Sequence, residues 1–187
     1  MDILQRLMQL HDDTTRALVV AIDGGSGAGK TSLAHYVARE LDHVTIISTN
    51  DFLMPLAQQQ NDVGAELDWR RLKDQVLIPL AKSKPIKYWR YDPTEPTTQQ
   101  WVDVVPNGIV VIEGAYSTRL ELAPYYDVKM WVEAPMRIRL ERMVQKDGDN
   151  TRDYWSAYLP NEAVYMETYL PQQYADIVID GTASKYM

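Results

Sequence analysis

At 187 residues, 45% hydrophobic and 24% charged, the chain has the length of one domain and can bury about two-thirds of its unfolded surface. A formal charge of −7 excludes a general polyanion-binding surface, because proteins that bind nucleic acid present a basic face. The absence of cysteine excludes disulfides and thiolate metal sites and fits a reducing cytosol.

Met1 to Arg16 places Ile3, Leu4, Leu7, Met8 and Leu10 at helical spacing, interrupted by Asp2, Gln5, Arg6 and Gln9. The spacing predicts an amphipathic helix, whereas a signal peptide needs an unbroken apolar run of about 7–15 residues. Apolar runs elsewhere have only strand length, so no membrane span is expected and the chain reads as cytoplasmic. "ALVVAID" (Ala17–Asp23) is continuous and apolar, the pattern of a buried parallel strand, and it ends at glycines. Lys30 to Leu41 follows as a helix, with Leu33, Val37 and Leu41 on one stripe. "VTIIS" (Val44–Ser48), "GIVVIEG" (Gly108–Gly114), "VKMWVEA" (Val128–Ala134) and "ADIVIDG" (Ala175–Gly181) give four more strands. Helices are predicted over Asp68–Ile78, Pro135–Lys146 and Arg152–Tyr169. Such alternation implies a single α/β domain, a parallel sheet covered by helices on both faces.

Two stretches break the rhythm. Pro55–Leu67 is polar and reads as a loop. Lys82–Pro106 holds Pro85, Pro93, Pro96 and Pro106 beside Tyr88, Trp89, Tyr91 and Trp101, and reads as an insertion of short strands or loop. The polar "KDGDNTR" (Lys146–Arg152) reads as a mobile segment between helices.

Between the first strand and its helix, Gly24, Gly29, Lys30 and Thr31 complete the pattern G-x-x-x-x-G-K-[ST]. Glycines let the chain turn so that successive N–H groups point at phosphate oxygens, and the helix beginning at Lys30 adds the positive end of its dipole. The expected nucleotide-binding residues are Gly24, Gly25, Ser26, Gly27, Ala28, Gly29, Lys30, Thr31 and Ser32. Lys30 reaches the β- and γ-phosphates, and the Thr31 hydroxyl is placed for Mg²⁺. Motor NTPases need an acidic pair after a hydrophobic strand, but "IVVIEG" supplies the single acid Glu113. GTP switches use Asn/Thr-Lys-x-Asp, which the nearest candidate "QKDG" (Gln145–Gly148) does not match. Both absences weigh against a motor or a switch.

"VVAIDGGSGAGKTSLA", followed by "TNDFLMP", "YDP" (Tyr91–Pro93), "VVIEGAYS" (Val110–Ser117) and "EAPMRIRLERMVQKDG" (Glu133–Gly148), resembles the uridine kinase and phosphoribulokinase-like branch of P-loop kinases. The matches run in order from about Val19 to Gly181, nearly the whole chain. The resemblance implies a three-layer P-loop NTPase fold with a five-stranded parallel sheet, and transfer of the ATP γ-phosphate to a hydroxyl. It places Asp51, with Phe52 beside it, where the family keeps its acceptor-activating carboxylate; an acid at the carboxyl end of a strand also sits where open α/β sheets bind ligands. The competing role for Asp51 is to cap a turn.

Glu113 could orient Mg²⁺, contact substrate hydroxyls or satisfy nearby loop amides. Arg137, Arg139, Arg142, Lys146 and Arg152 cluster around the polar segment Lys146–Arg152, and the resemblance makes residues 142–158 a lid over the phosphates. Arg142 and Arg152 are expected to touch phosphate, against the plain alternative of a solvated helix face. Tyr91 and Asp92, with Trp89 and Arg90, form either an acceptor wall or a small aromatic seal. Uridine kinases carry a His and an Arg after their Tyr-Asp-Phe; here "PTEPTTQQW" follows Tyr91–Asp92, so the nucleobase-reading part differs. Trp155, Tyr158, Tyr165 and Tyr169 read as packing, and His11, His35 and His43 lack metal-ligand spacing. The expectation is a Mg·ATP-dependent kinase of a nucleoside-like small molecule, with no nucleic-acid or membrane partner and with homo-oligomerisation left open. The alternatives are a kinase for ribosylnicotinamide, pantothenate or a sugar phosphate, and a nucleotide-binding regulatory ATPase.

Overall fold

A computed structural model describes residues 2–55, 63–92, 94–95 and 100–183. Of the predicted loop Pro55–Leu67, residues 56–62 lie outside the described residues, as do Pro93 and residues 96–99 of the stretch after Asp92. In chain order the elements are α1 (Ile3–Asp12), β1 (Leu18–Asp23), α2 (Lys30–Glu40) and β2 (Val44–Ser48). Next come α3 (Trp69–Leu72), a π-helical segment (Lys73–Leu77), α4 (Ile78–Ala81), β3 (Ile86–Arg90) and β4 (Gln100–Val104). The chain then forms β5 (Ile109–Glu113), β6 (Val128–Glu133), α5 (Met136–Asp147), α6 (Arg152–Tyr169) and β7 (Ile177–Asp180).

Five strands form one parallel sheet in the order β2-β5-β1-β6-β7, as the sequence implies. The period-2 alternation of β1 sends Val19 and Ala21 to one face and Leu18, Val20 and Ile22 to the other. On the second face Ile3 and Leu7 of α1 and Leu33 and Val37 of α2 cover the sheet. On the first, Phe52, Leu72, Val76, Tyr88 and Tyr165 pack against Val110, Ile112 and Trp131. Burying each side chain of Leu or Ile size contributes about 1.5–3 kcal/mol, so β1 and β5, buried along their whole length, are the rigid centre of the domain.

The boundaries depart from the periodicity where local chemistry intervenes. The first helix stops at Asp12 rather than Arg16: Leu10 is its last apolar residue, and Asp12 and Asp13 oppose the negative end of the dipole. The helix expected over Asp68–Ile78 starts at Trp69, with the Asp68 side chain accepting from Arg71 N at 3.1 Å, and runs on through the π-helical segment to Ala81. The insertion is an antiparallel hairpin, β3 with β4, whose Ile86 and Tyr88 enter the core while Trp101 is half exposed. No helix among the described residues is long and apolar enough to cross a membrane.

Parallel registration aligns the sheet's carboxyl ends. Ile22 lies beside Glu113, and Ser48 beside the same Glu113, so the segments leaving β1, β2 and β5 emerge on one rim. The segment after β1 has no room to spare. Gly24 has φ +149°, and a Cβ there would lie 2.4 Å from the Val132 carbonyl oxygen of β6. Gly24→Ala is therefore expected to lose about 1–3 kcal/mol, seen as a fall in Tm of roughly 2–4 °C per kcal/mol in thermal unfolding. An unchanged Tm would mean that the β1–β6 approach is looser than this geometry.

Candidate active site

The glycine-rich loop is fastened at its start by Asp23. Its fully buried carboxylate accepts from Gly24 N (2.7 Å), Tyr116 N (3.0 Å), Thr118 N (3.0 Å), Thr118 Oγ1 (2.6 Å) and Tyr165 Oη (2.9 Å). Burial pushes this carboxyl above its usual range, and the hydrogen bonds from Thr118 and Gly24 and the Lys30 charge pull it back. One carboxylate thus ties β1, the segment after β5, and α6 together. Tyr165, read from sequence as packing, is one of its donors.

Lys30 opens α2 with its ammonium folded back onto the loop, donating to the carbonyls of Gly24 (2.8 Å) and Gly25 (3.0 Å). Burial pushes it below the ordinary lysine range, while the charges of Glu162, Asp23 and Glu113 draw it upward. Thr31 Oγ1 donates to Glu113 Oε2 at 3.1 Å, and Glu113 is only 4% exposed. Glu113 and Thr31, predicted separately, therefore form one pair at the loop. On the α2 side, Ser32, Leu33, Arg142, Ile179 and Gly181 bound a cavity of about 160 Å³. A larger one, about 280 Å³, lies beside Arg16, Asn107 and Gly108 at the amino ends of the strands. Ligands of open α/β sheets bind at the carboxyl ends, the end at which the smaller cavity lies.

Asp51 sits in the 3₁₀ turn Thr49–Phe52 that follows β2, nearly buried. Tyr88 Oη donates to its Oδ2 at 3.0 Å, and Arg90 Nε lies 2.9 Å from its Oδ1. Burial and the Asp51 charge push the Tyr88 phenol up to about 12, so it remains a donor. The backbone of the turn is held as well: Tyr91 N and Arg71 Nη2 donate to Asp51 O at 2.9 and 3.1 Å. The Arg71 guanidinium stands 3.8 Å from the centre of the Trp89 ring and 4.8 Å from that of Phe52. Strand β3 is thus a brace for the carboxylate, which the aromatic composition of the insertion did not disclose. Phe52 is fully buried and stacked on Tyr88, placing it under the turn rather than on its open side. Asp92 is partly buried, and its carboxylate accepts from Thr94 N (2.8 Å) and Thr94 Oγ1 (2.6 Å), bonds that pull it below its usual range.

The basic cluster divides. Arg142 donates from Nη1 to Gly27 O (3.1 Å) and Ala28 O (3.3 Å) and from Nη2 to Gly181 O (3.0 Å), stapling the loop to the end of β7. Arg152 is half exposed and pairs with Glu141 at 3.1 Å, away from the loop. Arg137 and Lys146 are exposed. Arg139 is buried and its Nη1 meets Glu162 Oε2 at 2.8 Å. Glu162 in turn accepts from Ser26 N at 2.9 and 3.0 Å and from Ser26 Oγ at 2.6 Å. Sequence reading passed over Glu162. Its signal was faint: a carboxylate in register with Leu159 and Tyr165, three residues apart on a face of α6 that is otherwise buried. Nearer the start of that helix, Tyr158 Oη donates to Glu66 at 2.7 Å and Trp155 Nε1 to Asp147 at 3.0 Å, so these aromatics also do more than pack.

The model of the Phosphoribulokinase / Uridine kinase family matches residues 19–183. A uridine kinase of Lactobacillus helveticus is 26% identical over 189 residues, covering 88% of this chain and 86% of its own. A uridine kinase of Deinococcus deserti is 27% identical over 184 residues, covering 88% of this chain and 87% of its own. The solved structure of a possible uridine kinase from Bacillus stearothermophilus superposes with a TM-score of 0.70 at 23% identity, over 96% of this chain and 100% of its own. That last likeness concerns the fold.

Proposed function

The chain belongs to the Phosphoribulokinase / Uridine kinase family and is a small-molecule kinase, and from that premise we propose that it moves the γ-phosphate of Mg·ATP onto a hydroxyl of a nucleoside-like acceptor. The observation that carries the reading is the rim shared by three groups: the Lys30 loop, the Thr31–Glu113 pair and a nearly buried Asp51 held by Tyr88 and Arg90. The loop and the positive end of α2 bind the donor phosphates, with the Lys30 ammonium toward the β- and γ-phosphates. The cavity beside Ser32 and Gly181 suits the donor's base. Asp51 takes the proton of the acceptor hydroxyl, its orientation fixed by the two donors on its oxygens. Positioning and charge supply most of the rate, since phosphoryl transfer asks little covalent chemistry of the protein.

The Thr31 hydroxyl and the Glu113 carboxylate are hard oxygen donors at 3.1 Å, a set that fits Mg²⁺ completed by phosphate oxygens and water. When bound there, the ion would neutralise phosphate charge. Glu113→Gln is expected to raise the Mg²⁺ concentration for half-maximal ADP release about tenfold or more, on the scale of groups that orient metal ligands. An unaltered Mg²⁺ titration would remove Glu113 from the metal and return it to the loop amides.

The acceptor reading is tested by ADP release across nucleosides, vitamins and sugar phosphates. A nucleoside that stimulates release well above the rate to water supports it. Stimulation by a vitamin or sugar phosphate alone would replace the acceptor class, an alternative favoured by "PTEPTTQQW" where uridine kinases carry a His and an Arg. Slow release that no acceptor stimulates would leave a regulatory ATPase.

A further inference from the structure

We propose that Glu162 is a positioning residue for the donor half of this site: its carboxylate pins the Ser26 turn of the phosphate loop and aims the Arg139 guanidinium along it. The inference rests on the loop being the donor site and does not depend on the acceptor. Three elements meet at this carboxylate. Ser26 comes from the β1–α2 loop, Arg139 from α5 and Glu162 from α6, each separated from the others by long stretches of chain.

A carboxylate 2% exposed is tolerable only if its oxygens are matched, and these are. The Ser26 N–H reaches both oxygens, the Ser26 hydroxyl reaches Oε1, and Arg139 Nη1 reaches Oε2. Arg139 lies so close to the loop that a Cβ on Gly25 would overlap its Nη1. Its two side-chain hydrogen bonds among the described residues, to Glu162 and to Ser26 O at 3.5 Å, both leave from Nη1. Glu162 therefore fixes one corner of the guanidinium and with it the direction of the rest. Charge is essential to this arrangement. A glutamine of the same size could still accept from Ser26, but its amide N–H would face the Arg139 donor and turn the guanidinium away. The other physical possibility is competition, because an anion on a loop amide occupies a place a phosphate oxygen could take.

The test compares Glu162→Gln, Arg139→Ala and the double variant. ADP release to water alone is measured, a reaction needing the donor half and no acceptor, with ATP affinity by calorimetry and Tm alongside. For Glu162→Gln the expected result is a fall in release at saturating ATP of about 10–100-fold, the scale of supporting groups around a site. ATP affinity stays within about threefold of the parent, so the loss lies in turnover rather than binding. The double variant is expected to be no slower than Arg139→Ala, because the two residues act as one unit. Tighter ATP binding by Glu162→Gln with undiminished release would make Glu162 a competing anion and overturn the proposal. Losses that multiply in the double variant, or that track a fall in Tm, would make it general support for the fold and also overturn it. A parent that binds ATP while no acceptor stimulates it fails the acceptor reading alone; one that binds no ATP removes both.

Discussion

Asp51→Asn is expected to slow phosphoryl transfer to the acceptor by about 10²–10⁴-fold, the range for loss of a positioned general base, with ATP affinity close to that of the parent. The asymmetry follows from where the residue sits. The 3₁₀ turn after β2 carries Asp51 on the far side of Glu113 from the phosphate loop, and among the described residues none of its hydrogen bonds runs to that loop. Asparagine keeps the volume and can still accept from Tyr88 Oη, so the turn should survive, held by Arg71 and Tyr91 on the backbone carbonyl. The broken pair with Arg90 has little effect on stability, since that arginine is half exposed and its charge is screened by solvent. What disappears is the oxygen proposed to accept the hydroxyl proton. Single-turnover ADP formation with and without acceptor separates the cases: transfer should collapse while slow release to water persists. If transfer to the acceptor ran at the parent rate, Asp51 would revert to a turn residue and the kinase mechanism would need another base.

How far the sequence disclosed this site depended on whether the information was local. The phosphate loop was legible because strand, glycines, lysine and helix are adjacent, and each is demanded by the backbone geometry of its neighbours. The parallel strands were legible because burial on both faces removes polar residues from them. Asp51 was singled out by the family resemblance, with which its position just after a strand agrees. The contacts that hold these groups were not legible. Arg90 meets Asp51 only because a hairpin returns β3 to the rim, and "WRYD" is equally good as an aromatic seal. Glu162 reaches Ser26 across 136 positions, and its carboxylate looks like any other acid of a surface helix until α6 is docked. The arginines show the same limit. Arg139 and Arg142 turn to the loop and Arg152 to Glu141, a choice made by how α5 packs and not by composition.

Lys30→Met should produce the other large effect, lowering kcat/KM for ADP release by about 10²–10³-fold or more whether water or an acceptor receives the phosphate. It differs from Asp51→Asn in striking the donor half, so the slow release to water falls too. Methionine fills the space of the aliphatic stem, and the backbone amides of the loop remain, which makes the missing charge the main change. A second readout checks that the lysine is as enclosed as its contacts imply. Burial lowers its pKa in the folded protein below the ordinary 10.5, with Glu162, Asp23 and Glu113 opposing the shift. Between the lowered value and 10.5 the unfolded chain therefore binds more protons than the folded one, so this residue's contribution to stability improves as pH rises through that window. Denaturant unfolding of the parent at neutral and mildly alkaline pH should show that improvement, and Lys30→Met should lack it. Equal pH dependence in the two proteins would place the ammonium in water, and a solvated lysine could not grip the β- and γ-phosphates from within the loop as the donor site requires.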